Sequence, residues 1–214
     1  QVDPDNGTVY CAGATNRDFP TGTAPYDANG YLNGVTGLSG GTGATSLPNV
    51  AIVYRMNSTG TDLLDLTLYG PSAASSGNRV IAQALSLSSG RVFIGGVTNV
   101  DIPTIGSPFD NSRSGTDGFV AVFSRDLGTL HYATYLGSSG NEDIGVTSIR
   151  ALSDDSFVVG LTAAAALPAA YISGGVAQTA FGGGTDMYIA KFSSNNTLTW
   201  GTYMGGSSNE VFND

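Results

Sequence analysis

A short segment occurs three times in this chain and limits the folds that the chain can adopt. The copies are NVAIVYRMNSTGTDLLDLTLYG (49–70), DGFVAVFSRDLGTLHYATYLG (117–137) and DMYIAKFSSNNTLTWGTYMGG (186–206). Their closing glycines Gly70, Gly137 and Gly205 lie 67 and 68 positions apart. A period of this length predicts a repeat architecture, in which each copy forms one structural unit that stacks on its neighbours.

A second pair of strand-like runs follows two of the copies. These are RVIAQALSLSSGRVFIGGVTN (79–99) and DIGVTSIRALSDDSFVVGLT (143–162), each divided by a turn rich in Ser, Asp and Gly. Two β-rich runs joined by such a turn predict a hairpin. Each unit therefore has four strands, named a to d here, and the N-terminal residues 2–20 supply strand b of the first unit.

The predicted strands divide the chain into three units of one repeat domain that spans residues 1–214. In the first unit, b, c and d cover 8–15, 50–57 and 63–70. In the second unit, a to d cover 79–88, 91–98, 118–125 and 129–137. In the third, they cover 144–153, 156–162, 187–193 and 198–205. The units span about 1–70, 71–137 and 138–206, and residues 207–214 supply a strand that completes a unit of the first type.

Strand c is apolar at consecutive positions, as in AIVY (51–54) and FVAVF (119–123). A strand that is buried on one face alternates apolar and polar residues, so this pattern predicts strands that are covered on both faces. Four-stranded antiparallel sheets that cover one another face to face are the blades of a β-propeller. The sequence therefore predicts an all-β propeller fold with about three blades in this chain.

The first unit lacks strand a, and the end of the chain carries a segment that fits there. If NEVFND (209–214) is placed before Gln1, Asn209 and Gly13 are 18 positions apart, as are Asn78 and Gly96. Three blades cannot close a ring that usually has four to eight. We predict that this tail pairs with the first unit of another copy or of a neighbouring repeat block. The predicted assembly residues are Val211, Phe212, Asn213 and Asp214 in the tail, and Thr8, Val9, Tyr10 and Cys11 in strand b.

Several of these motifs resemble the SBBP repeat, a bacterial β-propeller repeat. The similar stretches are VYCAGATNRDFPT (9–21), DGFVAVF (117–123), DMYIAKF (186–192), ATYLGSSGNED (133–143) and GTYMGGSSNE (201–210). Together they extend over essentially the whole chain. The DFP of the first unit becomes DIP at 101–103 and ALP at 166–168, and the linkers between strands b and c are longer than is usual in the family.

The resemblance implies an extracellular or cell-surface scaffold protein. No set of catalytic residues belongs to this repeat, so the resemblance implies none here. The long linkers, above all residues 22–48, are where this chain differs most from the family pattern.

The charge of the chain excludes some classes of partner. The formal net charge is −9, and the eight Lys and Arg residues form no run. A surface that follows phosphates needs clustered basic residues, so we expect no nucleic-acid partner. No apolar run approaches the roughly 20 residues that a membrane-spanning helix requires.

The sequence contains no recognisable catalytic or transition-metal constellation. His131 is the only histidine and Cys11 the only cysteine, so zinc and copper sites of the usual composition cannot form within one chain. We interpret His131 as a surface residue and Cys11 as a packed small hydrophobe. Asp101, Glu142 and Asp143 could pair as carboxylates, but their spacing does not select them for glycosidic cleavage. We predict that the protein is not an enzyme.

Calcium is the one cofactor for which weak candidate ligands exist. Asp3, Asp5 and Asn6 resemble the beginning of a calcium loop, but no glutamate follows at the spacing of a full loop. Asp and Asn also form hairpin turns without a metal, and this interpretation is favoured.

Three functional classes fit these observations. The first is a structural or adhesive surface protein that assembles through shared strands. The second is a propeller module of a larger secreted protein that binds cell-surface polysaccharide or protein, with Tyr26 and Tyr31 as residues that could stack on sugar. The third is a polysaccharide-degrading enzyme. Asn6, Asn57 and Asn195 match the N-glycosylation sequon, which matters only in a source that glycosylates it.

Overall fold

The computed structural model describes residues 1–15, 50–71, 77–138 and 145–211 of the 214-residue chain. These residues form eleven strands in three antiparallel sheets. They contain one turn of 3₁₀ helix, Ala169–Tyr171, and no α-helix. The all-β prediction is therefore confirmed for the part of the chain that the structure describes.

Each sheet is built from strands that are consecutive in the chain. The first sheet has three strands in the order β1-β2-β3, and the second and third sheets have four strands each. All eleven strands begin and end within two residues of the predicted bounds. The first sheet contains β1 (Val9–Thr15), β2 (Val50–Met56) and β3 (Leu63–Tyr69); the second contains β4 (Val80–Leu87), β5 (Arg91–Thr98), β6 (Asp117–Ser124) and β7 (Leu130–Leu136); the third contains β8 (Val146–Ala151), β9 (Phe157–Ala163), β10 (Asp186–Phe192) and β11 (Leu198–Met204).

The three sheets share one irregularity at the same place. In each, the pairing between the last two strands shifts by one residue, just before Met56, Phe123 and Phe192 respectively. A β-bulge increases the local twist of a strand. Because each sheet carries the bulge at an equivalent residue, the sheets share the local distortion that it produces there.

The second sheet lies between the other two. Strand β4 contacts β1 and β2 on one side and β8 on the other. A core that includes Tyr10, Val53 and Phe119 joins the first and second sheets, and a core that includes Phe93 and Phe157 joins the second and third. Strand β6 is buried on both faces, with every residue of FVAVF at most 4% exposed. The prediction from the consecutive apolar pattern is confirmed.

Tyrosine hydroxyls in the last strand of two sheets fix the linker after strand b. The hydroxyl of Tyr135 accepts a hydrogen bond from the Ile102 N–H at 2.8 Å and donates one to the Ile102 carbonyl at 3.0 Å. The hydroxyl of Tyr203 accepts one from the Leu167 N–H at 2.6 Å. These bonds hold the DIP and ALP segments against their own sheets. In the first sheet the equivalent residue is Leu68, which has no hydroxyl.

Candidate assembly edge of the first sheet

The first residues of the chain lie beside strand β1. Val2 forms an antiparallel bridge with Val9. The amino group of Gln1 donates to the Tyr10 carbonyl at 2.8 Å, and the Tyr10 N–H donates to the Gln1 carbonyl at 2.8 Å. Gln1 and Val2 therefore occupy the position that the end of β4 occupies beside β5, where Leu87 pairs with Val92.

A compact turn connects these residues to β1 and contains the three weak metal candidates. One carboxylate oxygen of Asp3 accepts the Asp5 N–H at 3.0 Å, and the side-chain oxygen of Asn6 accepts the Thr8 N–H at 2.9 Å. Asx turns of this kind satisfy backbone groups without a metal. Calcium at Asp3, Asp5 and Asn6 stays a prediction, but the turn explains why these residue types occur here.

The turn is anchored to the second sheet by Arg125. Its guanidinium pairs with the carboxylate of Asp3, which is 3% exposed, and lies over the ring of Tyr10 at 5.1 Å from the centroid. Burial opposes ionisation of Asp3, but the Asp5 N–H and Arg125 outweigh it, so the pKa of Asp3 is lowered. The Tyr10 hydroxyl also donates to the Arg125 carbonyl at 2.8 Å. These contacts hold the beginning of β1 in a fixed position.

Beyond Tyr10 the outer edge of β1 is open among the residues that the structure describes. No described strand pairs with this edge from Cys11 to Ala14, whereas β4 covers β5 along its whole length. Six of the seven β1 residues are half-buried or exposed, and seven of the eight β5 residues are buried. Beside Thr8, Val9 and Tyr10, the outer edge of the strand is already occupied by the chain's own first residues. Of the four residues in strand b that were predicted to take part in assembly, only Cys11 lies on the open section of the edge.

Two glycines at equivalent positions show how different the two edges are. A Cβ on Gly96 would overlap the carbonyl oxygen of Ile81 in β4, and a Cβ on Gly13 would meet no atom within 4 Å. Because the Tyr10 N–H points toward the edge and N–H directions alternate along a strand, the N–H groups of Ala12 and Ala14 point there as well. The open edge therefore presents a row of main-chain groups at which a further strand could pair.

The C-terminal tail leaves the third sheet at a fixed point. The Glu210 N–H donates to the Thr185 carbonyl at 2.7 Å, and the Thr185 hydroxyl donates to the Glu210 carbonyl at 3.0 Å. The next residue, Val211, is 51% exposed. The other predicted tail residues, Phe212, Asn213 and Asp214, lie outside the described residues.

The third sheet also exposes a face whose equivalent in the second sheet is covered. Each sheet that has neighbours presents one face to the preceding sheet and the opposite face to the following one. Among the described residues, no sheet covers the preceding face of the first sheet or the following face of the third. On the third sheet this face carries large apolar side chains that are half-buried or exposed, namely Val158, Met187, Ile189, Trp200 and Met204.

The remaining predicted residues lie at separate places. Cys11 is a half-buried free thiol on the open strand, and His131 is an exposed residue of β7 whose pKa is lowered by partial burial and by Arg91. Tyr26 and Tyr31 lie outside the described residues, so their role in binding stays a prediction. In the described ranges, no three or more His, Cys, Asp and Glu side chains are grouped to hold a metal ion.

A scan against models of known protein families found no match, and a search of curated proteins found no significant match. The resemblance to the SBBP repeat therefore stays a prediction from the motifs. Over the ranges that the structure describes, no helix combines the length and the apolar character needed to cross a membrane.

Proposed function

We propose that this protein is a non-enzymatic, extracellular structural block whose sheets are blades of a β-propeller. Blocks join when the tail of one, residues 211–214, pairs with β1 of the next. The observation that supports this proposal is the β1 edge, which begins with two residues of a partner strand and is open beyond them. The partner is another copy of the chain or an adjacent repeat block.

The open edge makes chemical sense if assembly covers it. An exposed strand edge promotes uncontrolled pairing between molecules, and natural sheets usually protect it. Addition of a strand satisfies the main-chain groups and gives a defined register. The edge here carries neither a charged side chain nor a proline between Cys11 and Thr15, so nothing in its sequence prevents pairing.

The exposed face of the third sheet supports the same joint. If the tail of one block completes β1 of the next, this face is directed toward the preceding face of the first sheet, where Val50 and Ile52 are already buried within the chain. Each Å² of apolar surface that the third sheet loses to water on association contributes roughly 25 cal/mol. Pairing of the strand and burial of this face therefore favour the same arrangement.

A disulfide can test the register of the joint. Gln1 and Tyr10 exchange both hydrogen bonds, so the next opposed pair is of the non-hydrogen-bonded type. In the proposed register this pair is Asp214 with Cys11, and its Cα atoms would be about 4.5 Å apart, within the range of a disulfide. We expect Asp214→Cys to form an intermolecular disulfide with Cys11 under mild oxidation, detected on non-reducing gels and by mass spectrometry of peptides.

Two variants serve as matched controls for this experiment. Asn213→Cys points to the other face of the strand and should form far less of the disulfide with Cys11. Asp214→Cys combined with Cys11→Ser should form none. If Asp214→Cys links to Cys11 no faster than Asn213→Cys does, the proposed strand pairing is wrong.

The source of the completing strand requires a separate measurement. The mass of the denatured polypeptide isolated from its source distinguishes the two cases. A mass near 21.7 kDa means that the strand comes from another molecule. A mass several times larger means that adjacent blocks of one long chain complete each other.

A further inference from the structure

Asp186, the first residue of β10, is a buried carboxylate with one unsatisfied oxygen. The residue is 0% exposed. Its Oδ2 accepts the Gly182 N–H at 2.8 Å and the side-chain amide of Gln178 at 3.3 Å. Its Oδ1 is buried and has no hydrogen-bond partner in the described part of the chain. Buried polar atoms are rarely left in this state, so Oδ1 indicates that something else satisfies it.

A second carboxylate approaches the unsatisfied oxygen. Asp186 Oδ1 lies 2.5 Å, and Glu210 Oε2 lies 2.9 Å, from the point that a Cβ on Gly205 would occupy. The absence of a side chain at Gly205 is what allows both groups to reach this place. Glu210 is fixed there by its main-chain bonds to Thr185 and by the Gly206 N–H, which donates to Oε2 at 2.9 Å.

Among the described residues, no positive side chain pairs with either of the two acidic groups. Within the described ranges, neither Asp186 nor Glu210 forms an ion pair with a lysine or an arginine. Two carboxylate oxygens that lie this close to one point beside Gly205 repel each other when both groups are charged. A bound cation would replace this repulsion by attraction to both oxygens.

We propose that Asp186 Oδ1 and Glu210 bind a calcium ion beside Gly205. Both donors are hard carboxylate oxygens, which Ca²⁺ prefers, and its irregular coordination allows waters to complete the shell because Glu210 is partly exposed. Zinc would require more nitrogen or sulfur donors than this place offers. The ion would fix the residue directly before the exposed Val211 and would thus hold the origin of the tail.

Terbium luminescence tests this site on the whole chain. Tb³⁺ takes the place of Ca²⁺, and Tyr203, two residues before Gly205, can sensitise its emission. We expect Tb³⁺ to bind, Ca²⁺ to displace it, and Glu210→Gln to bind one ion fewer per chain. Glu210→Gln keeps an oxygen that can accept the Gly206 N–H, so the fold should remain intact. Asp154→Asn, which changes an exposed carboxylate in a turn, is the control and should bind as the parent does.

Asp186→Asn should also lose the ion, and far-ultraviolet circular dichroism establishes that this variant is folded. Extracellular calcium modules bind with dissociation constants of about 10⁻⁴ to 10⁻³ M. The proposal is overturned if Ca²⁺ up to about 10 mM neither displaces Tb³⁺ nor raises the melting temperature. It is also overturned if Glu210→Gln binds the same number of ions as the parent.

Discussion

Strands β1 and β5 hold the same place in two copies of one repeat, yet their surroundings differ. Strand β5 lies between β4 and β6 and is buried along almost its whole length. Strand β1 pairs with β2 on one side, and on the other side it meets only Gln1 and Val2 in the part of the chain that the structure describes. The comparison shows that copies of one repeat motif form the same strand whether complete strands cover both of its edges, as in β5, or only one, as in β1.

The largest expected difference concerns amide exchange. Ala12 and Ala14 point their N–H groups to the open edge, and Gly95 and Val97 point theirs to β4. Amides in core strands exchange only through global opening, so we expect the β5 amides to be more than about a thousandfold better protected. Hydrogen–deuterium exchange of the unassociated chain measures this ratio. Equal protection would show that β1 is covered.

The next largest effect concerns the free energy of unfolding after a methyl group is added at Gly96 or at Gly13. Gly96→Ala forces a methyl group against the Ile81 carbonyl, and we expect a loss of about 1–3 kcal/mol in the free energy of unfolding. Gly13→Ala should change it by less than about 0.5 kcal/mol in the unassociated chain. Urea unfolding measures both. A similar loss in both variants would contradict an open edge at Gly13.

The anchor of the first sheet should give a pH-dependent effect. Asp3→Asn removes the charged bond to Arg125 and should destabilise the chain by about 1–2 kcal/mol at pH 7. The pKa of Asp3 is lowered from 3.8, so its stabilising contribution is present above that pH and is lost as the pH falls through the folded-state pKa.

The stability difference between Asp3→Asn and the parent should therefore shrink below about pH 4, as measured by unfolding at several pH values. Asp155→Asn is the matched change between the second and third sheets. Asp155 accepts the Ser88 hydroxyl at 2.5 Å, but its side chain is 34% exposed, so the effect should be smaller. A difference for Asp3→Asn that grows on acidification would contradict the assignment.

The smallest expected effect concerns the tyrosine that the first sheet lacks. Tyr135→Phe removes both hydrogen bonds to Ile102 and should cost about 1 kcal/mol of unfolding free energy. Tyr203→Phe removes the hydrogen bond from the Leu167 N–H and should cost a similar amount. Thermal unfolding monitored by circular dichroism measures both. No change in Tyr135→Phe would mean that these bonds do not hold the linker.

The strands could be predicted because three copies of the motif define them together. The residues of β6 are apolar in succession, so an alternating pattern alone would not identify it as a strand. Its similarity to the equivalent segments 50–57 and 187–193 does identify it. The turn between Asp3 and Thr8 was predicted as a turn from its Asp, Asn and Gly residues. Its anchor Arg125 was not, because the partner lies 122 positions away and nothing in the spacing marks it.

The candidate sites were harder to predict than the strands. The sequence predicts an open edge that begins at Thr8. In the structure the chain's own first residues lie beside Thr8 to Tyr10, because the turn before β1 is longer than its equivalents. Val2 and Val9 pair across seven positions, whereas Leu87 and Val92 pair across five. Asp186 and Glu210 belong to different motifs, DMYIAKF and GTYMGGSSNE, and only the fold brings them to one glycine. A signal was present, since Glu142 and Glu210 both follow the closing glycine by five positions.

If blocks join at β1 as proposed, this joint also determines the symmetry of the assembly. Its two halves would be different surfaces, so two blocks could not associate through it face to face, and every block would have one donor end and one acceptor end. Each block would add its three described sheets, so a closed ring would contain a multiple of three. Two blocks related by a twofold axis give six sheets, within the range of four to eight that propellers adopt. Blocks whose rotation does not close would instead form an open helical filament, with one donor end and one acceptor end left free.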